Sequence, residues 1–296
     1  MGMRPQAVAL LPTAPGVYRF RDDHGRALYI GRAGDLRRRV SSYWGDLRGR
    51  SHLRRMVPQI ARIEALECAS EHEAAWAERM LLEQRKPRWN RVAGGLENPV
   101  YVRVEVALPG ISVVHELIEE PSVRWYGPYL GGTATRLGVA GLERVYPMTY
   151  ARSRLTGTER DLARIHGIES TDAAALVEAV DAVLRRDPSA LALAIEALVA
   201  KRDAAASSEL YELASRIHEE LGGLEWLVAP VRLFRPDADL IACADGVQVS
   251  LRFRSGRLRT WEQSASTVEV VTPAEWAHTL TRTAALAARL AAHPVS

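Results

Sequence analysis

The stretch "PGVYRFRDDHGRALYIGRAGDLRRRVSSYW", Pro15 to Trp44, carries Gly-x-Tyr and Tyr-x-Gly on either side of one short turn. "GVYRF" (16–20) and "ALYIG" (27–31) alternate apolar and polar residues, and "DDHG" between them supplies turn chemistry. That pattern predicts a β-hairpin. Asp35 then caps a helix, "LRRRVSSYW", in which Leu36, Val40 and Tyr43 share one face. Arg37, Arg38 and Arg39 load the same helix with cations.

The pattern continues outward. "ARIEALECAS" (61–70) reads as a strand. Ser70 with Glu73 forms a capping-box pattern, and Ala74, Ala77, Leu81 and Leu82 make the stripe of a longer helix that Pro87 stops. The order β-β-α-β-α predicts one α/β domain with a small sheet over residues 1–95. From 96 to 157, "YVRVEVAL" and "ISVVHEL" read as a strand pair, and "WYGPYLGGTATRLGVAGLERVYPM" as a Gly-rich turn feeding a helix. Residues 158–226 read almost wholly helical, with a break at Pro188. Over 227–296, "VRLFRP", "LIACAD", "VQVSLRF" and "RLRTWEQ" read as a short β region. A last helix follows, started by Thr272, Pro273 and Glu275. The fold class is therefore α+β: a small sheet domain with flanking helices, a mainly helical region, and a short C-terminal β/α segment.

Composition narrows the function classes. A chain of 296 residues holds two to four compact units. No run approaches the ~18 apolar residues of a membrane span, and the N-terminus does not read as a secretory signal. Cys68 and Cys243 stand far apart, so neither a disulfide framework nor a cysteine metal site is expected, and a cytoplasmic location is the default. Residues 1–62 contain thirteen arginines against four aspartates and no glutamate. Nucleic acids draw such a surplus, because each neutralised phosphate releases counterions.

Cutting a phosphodiester requires an activated water, charge stabilisation on the phosphoryl oxygens and help for the leaving oxygen. A single carboxylate holding a hydrated Mg²⁺ supplies part of this. A tyrosine, with an ordinary pKa of ~10, serves as base only where nearby cations depress that value. A tyrosine pair, an arginine cluster and one helix-borne glutamate would be a sufficient kit. Each residue alone has a plainer reading: Tyr18 and Tyr29 as a cross-strand packing pair, Arg39 on a solvated helix face, Glu78 as an exposed charge, Asn90 in an ordinary turn. What overturns these plainer readings is the ordered set that a family resemblance marks out.

"GVY" and "YIG", followed by "GRAGDLRRRVSSYW", resemble the GIY-YIG nuclease superfamily, and within it the N-terminal nuclease domain of UvrC excinucleases. "EHEAAWAERMLLEQRKPRWN" is similar to the family's helix with the metal-binding glutamate and the Asn-terminated segment after it. The resemblance places the family's catalytic residues on Tyr18, Tyr29, Arg32, Arg39 and Asn90, and its metal ligand on Glu78. It leaves open whether Tyr29 or Tyr18 takes the proton from water. Arg32 stands where UvrC proteins often have lysine, and a guanidinium stabilises charge but is a poor proton acceptor. Arg37 and Arg38 are expected to bind DNA.

Further along, "WYGPYLGGTATRLGVAGLERVYPM" resembles the segment after the UvrC nuclease domain. Ala151 occupies the position of the family's first cysteine there, and the cysteine cluster that follows in UvrC is missing, so no iron–sulfur cluster is expected. "LVAKRDAAASSELYELASRIHEEL" (198–221) resembles the UVR hairpin through which UvrC docks on UvrB, with Arg202, Tyr211, Glu212 and Arg216 in register. A plain amphipathic hairpin packed within its own protein is the alternative. The sequence has no counterpart of UvrC's RNase H-like domain or helix-hairpin-helix tail, a pattern similar to the shorter Cho nucleases. The resemblance implies a Mg²⁺- or Mn²⁺-dependent endonuclease making one 3′-side incision in damaged double-stranded DNA, with a UvrB-like partner and no membrane. The rival readings are a non-catalytic DNA- or UvrB-binding adaptor, and a GIY-YIG nuclease of a mobile element or restriction system.

Overall fold

The computed structural model describes residues 5–45, 53–90, 98–118, 120–265 and 273–295. Thr272, and Arg4, Arg48 and Arg50 of the N-terminal arginine surplus, lie outside the described residues.

A short helix α1 (Gln6–Ala9) precedes the hairpin of β1 (Gly16–Arg21) and β2 (Ala27–Ala33). Asp35 accepts the Arg38 N–H and caps α2 (Leu36–Ser41), which continues as a 3₁₀ turn through Trp44. Leu36, Val40 and Tyr43 are buried together, as their spacing requires. β3 (Arg62–Glu67) pairs antiparallel with β1, giving the strand order β2-β1-β3. α3 (Glu71–Gln84) begins at Ser70, whose hydroxyl accepts the Glu73 N–H at 3.0 Å. Glu73 does not close the reciprocal half of a capping box. Its carboxylate accepts from the Ala69 N–H and from Arg232 instead.

The middle of the chain builds a second core. β4 (Val100–Glu105), β5 (Gly110–Val114) and β6 (Val123–Tyr129) form an antiparallel sheet in the order β5-β4-β6. The sequence reads "WYGPY" as a turn, but it is the edge strand β6. Pro128 lacks an N–H and is tolerated there because the β4–β6 register slips between Val100 and Val102. The helices α4 (Gly132–Val145), α5 (Gly157–His166), α6 (Ala173–Leu184), α7 (Pro188–Ser207) and α8 (Tyr211–Val228) follow. Pro188 opens α7 from its first turn, where a missing N–H costs nothing. Val102, Val104, Leu142, Val180, Leu198, Ile217 and Leu224 share the core between sheet and helices.

The last segment adds β7 (Ala238–Ala244), β8 (Val247–Arg254), β9 (Arg257–Ala265) and α9 (Ala274–Ala291). "VRLFRP" is not a strand. The Arg232 N–H goes to the Glu73 carboxylate at 2.6 Å, so a side chain takes the bond that a neighbouring strand would have made. Phe234 packs edge-on against Trp76 of α3, with ring centroids 4.9 Å apart.

The chain divides into two compact units, Met1–Leu96 with Ala229–Ser296, and Glu97–Val228. The C-terminal segment thus completes the N-terminal unit: Leu286 and Leu290 of α9 share one core with Tyr18, Phe20, Leu36, Val40, Met56 and Ile63.

Candidate active site

The two glycine–tyrosine signatures meet across the β1–β2 ladder. Tyr18 pairs with Gly31 and Phe20 with Tyr29, so all four positions share one face of the sheet. Tyr18 and Tyr29 stack with ring centroids 6.1 Å apart. A Cβ on Gly31 would stand 2.5 Å from the Tyr18 hydroxyl and 2.7 Å from the Tyr29 ring. A Cβ on Gly16 would run into the Leu66 carbonyl and, at 2.7 Å, the Leu36 side chain. The glycines are there so that two phenols, a helix and a third strand fit against one short hairpin.

α2 and the 3₁₀ turn that continues it supply the next two groups. The Arg39 Nε donates to the Tyr18 hydroxyl at 3.3 Å, and its guanidinium stands 5.8 Å from the centre of the Tyr43 ring. Tyr43 and Tyr18 share a hydrogen bond of 2.6 Å between their hydroxyls. The sequence reading treats Tyr43 only as part of the buried helix face. Its place on a buried face said only that its hydroxyl needs some partner, and not that the partner is another phenol.

Electrostatics separates the phenols. Burial pushes the Tyr18 phenol well up, and the neighbouring Tyr29 adds to the rise while Arg39 opposes it. Burial also raises Tyr43, with Tyr18 and Tyr29 contributing. For Arg39 burial pulls downward, but its interactions with Tyr18, Tyr43 and Tyr29, the Tyr18 hydrogen bond among them, outweigh it and raise its pKa. Tyr18 and Tyr43 are thus committed to their protons. Tyr29 is only part-buried.

α3 brings the carboxylate. Glu78 lies 3.5 Å from the Arg32 Nε, and its side chain is 19% exposed. Burial raises its pKa, opposed by the Arg32 and Arg39 charges and a hydrogen bond from the Arg32 backbone. Glu78 and the Tyr18 phenol therefore share one guanidinium, that of Arg39. Among the described residues no cluster of three or more histidine, cysteine, aspartate or glutamate side chains forms a metal cage. The set here, one part-buried carboxylate in a long contact with a guanidinium, fits a hydrated Mg²⁺, which takes one or two carboxylates beside phosphate and water.

Asn90 acts at one remove. Its Oδ1 accepts the Ile30 N–H at 3.0 Å and its Nδ2 donates to the Ile30 carbonyl at 2.7 Å. Both ends of the amide are spent clamping β2 between Tyr29 and Gly31. Arg37 and Arg38 are exposed, and Arg37 also donates to the Leu11 carbonyl at 2.6 Å.

The other expected sites lie in the second unit. α7 and α8 form the helical hairpin read from the sequence, with Leu198 and Ile217 buried in their own unit's core. Its tip leaves Leu210, Tyr211 and Leu213 exposed, Tyr211 at 68%. Glu212 is exposed, Arg202 pairs with Asp203, and Arg216 lies 3.5 Å from Glu220. Cys68 is buried, Cys243 half-buried and Ala151 buried.

Residues 14–91 match the UvrC-like GIY-YIG domain. The UvrABC system protein C of Streptomyces avermitilis is 31% identical over 274 residues, covering 84% of this chain and 40% of that protein. That of Trichlorobacter lovleyi is 33% identical over 146 residues, covering 49% of this chain and 24% of its own. This chain thus spans less than half the length of these relatives. A crystal structure of the GIY-YIG N-terminal endonuclease domain of UvrC from Thermotoga maritima, bound to magnesium, is 29% identical. It covers 29% of this chain and 92% of that one, with a TM-score of 0.27. Through residues 14–91 the chain belongs to the UvrC-like GIY-YIG family.

Proposed function

We propose that the chain is a divalent-metal-dependent endonuclease that nicks damaged duplex DNA once, on the 3′ side of a lesion, in nucleotide excision repair. The observation that carries this reading is that Glu78, from α3, lies against Arg32 and interacts with Arg39, the guanidinium that also bonds the Tyr18 phenol stacked on Tyr29. The relatives are components of the UvrABC system, which supports a repair setting with a UvrB-like protein that places the DNA. The 3′ polarity rests on the resemblance to Cho-type nucleases.

Glu78 would hold a Mg²⁺ or Mn²⁺ ion, which when bound supplies Lewis-acid stabilisation of phosphoryl charge and a more acidic water. Tyr29 is assigned the water. It is the more accessible of the two phenols, whereas Tyr18 is fully buried with a raised pKa. Tyr18 and Tyr43 hold Arg39 in place, and Arg39 with Arg32 takes charge on the phosphoryl oxygens. Asn90 is a positioning residue that fixes the strand carrying Tyr29. Arg37 and Arg38 contact the DNA backbone. Tyr211, Glu212, Arg202 and Arg216 would dock the UvrB-like partner through the exposed hairpin tip. The site of action is the cytoplasm, at the nucleoid; among the described residues no helix is long and apolar enough to cross a membrane.

The test is nicking of a lesion-bearing duplex with Mg²⁺ and a UvrB protein. Glu78→Ala is expected to abolish nicking while leaving DNA binding in place. Retained cutting by that variant overturns the assignment. Lesion binding by the wild type without metal-dependent nicking favours the adaptor, and cutting at a fixed sequence in undamaged DNA favours the mobile-element class.

A further inference from the structure

β1 alternates, so Arg19, next to Tyr18, sends its side chain to the opposite face of the sheet from the phenols. That face borders a pocket of about 460 Å³ within the first unit. Five arginines line it, Arg19, Arg21, Arg26, Arg85 and Arg259, against one lining carboxylate, Glu262. Nothing in the cutting chemistry uses any of them.

The charges do not balance locally. Arg19 and Arg21 both donate to a single carboxylate, Glu64. Arg26 is taken by Asp22. Among the described residues Arg85 and Arg259 have no acidic partner. Arg19 is the most confined: its side chain is 9% exposed, and its guanidinium lies 4.4 Å from the centre of the Trp261 ring. Its Nε goes to Glu64 and its Nη1 to the Trp261 carbonyl at 3.1 Å. Its Nη2 is buried with no acceptor. The Trp261 indole N–H is buried and unpartnered too. Unspent donors in the wall of a cavity lined by surplus cations call for an acceptor carrying negative charge, because a buried donor left unpaired is costly.

We propose that this pocket binds a phosphate oxyanion, held between the rim guanidiniums of Arg85 and Arg259 and the buried edge of Arg19. A tetrahedral phosphate offers several charged oxygens, which suits forked donors arriving from separate elements. The site is separate from the phenol cleft and does not depend on that cleft being a nuclease. Its phosphate has two sources, the backbone of a nucleic acid or a small phosphate compound.

The experiment is calorimetric titration of the full chain with inorganic phosphate, at constant ionic strength and without divalent metal, with chloride as reference. Wild type is expected to show saturable binding. Arg85→Gln/Arg259→Gln, which changes only rim side chains, is expected to bind at least about tenfold more weakly while melting as wild type does. Arg32→Gln/Arg39→Gln is expected to retain the binding. No saturable binding by wild type, or full affinity in the rim variant, overturns the proposal. So does loss confined to Arg32→Gln/Arg39→Gln, which would put the anion in the phenol cleft. A second arm titrates a duplex oligonucleotide at several salt concentrations. A slope reduced by about one or two in the rim variant identifies a nucleic-acid backbone as the source. An unchanged slope, with phosphate binding lost, identifies a small phosphate compound.

Discussion

Tyr18 and Tyr29 are the same residue type on paired strands, yet the structure gives them different work. Tyr18 is fully buried, bonded to Tyr43 and Arg39, and its phenol is pushed up, whereas Tyr29 is part-buried. If Tyr29 handles the water, Tyr29→Phe should slow nicking by about 10²-fold or more, a typical general-base effect, with little change in melting temperature. Tyr18→Phe should also destabilise the fold, by about 1–3 kcal/mol, because the Tyr43 hydroxyl and the Arg39 Nε both lose a bond to the Tyr18 hydroxyl. Glu78 yields a prediction with a definite sign. Burial raises its pKa above the ordinary 4.5, despite Arg32 and Arg39. Folding therefore takes up a proton in the window between 4.5 and the raised value. The stability Glu78 contributes is present below that window and lost as pH rises through it. Thermal melts of the metal-free protein should show Glu78→Gln equal to wild type in acid and more stable at neutral pH. At this scale the sequence marked as candidates those residues that carry a signature, among them Tyr18, Tyr29, Arg32, Arg39 and Glu78. It did not reveal that Tyr43 joins them, because a tyrosine on an apolar helix face looks the same whether it fills space or meets another hydroxyl.

Among the elements, α3 and β2 depend on side chains that reach backbone. Ser70 accepts from Glu73 and donates to the Pro230 carbonyl at 2.6 Å, so it both starts α3 and ties down the returning chain. Ser70→Ala should cost about 1–2 kcal/mol in denaturant melts. Asn90→Ala should remove both clamps on Ile30, costing about 2 kcal/mol, and slow nicking while leaving metal affinity unchanged. Helices and hairpins were the legible elements, because 3.6- and 2-residue periods and turn residues are written locally. "WYGPY" and "VRLFRP" were misread for a shared reason. Whether a stretch becomes a strand depends on which partner takes its backbone N–H groups: β4 accepted the first despite its proline, and Glu73 took a donor from the second.

Across the whole molecule, the sequence reading treated residues 227–296 as a segment after the others, but the structure packs it with the first ninety-six residues. No local pattern announces this. Leu286 and Leu290 look like any amphipathic stripe, and the aromatic core they complete lies more than two hundred residues earlier. Leu286→Ala should cost about 2–5 kcal/mol and lower the melting temperature. Nicking should fall in parallel with the folded fraction, although Leu286 lies far from the phenols in sequence.

The divided unit also carries a consequence in time. A ribosome releases the tyrosine hairpin first and must then translate residues 97–228 before α9 emerges. Leu290 of α9 lies 257 residues beyond Ala33 at the end of the hairpin, so at ordinary synthesis rates the delay is roughly 13–51 s. Throughout it, the nascent hairpin lacks Leu286 and Leu290, so its hydrophobic interior stays unfinished. A centre assembled this way matures only once α9 has emerged, and a product of translation interrupted before Leu286 leaves the ribosome without it.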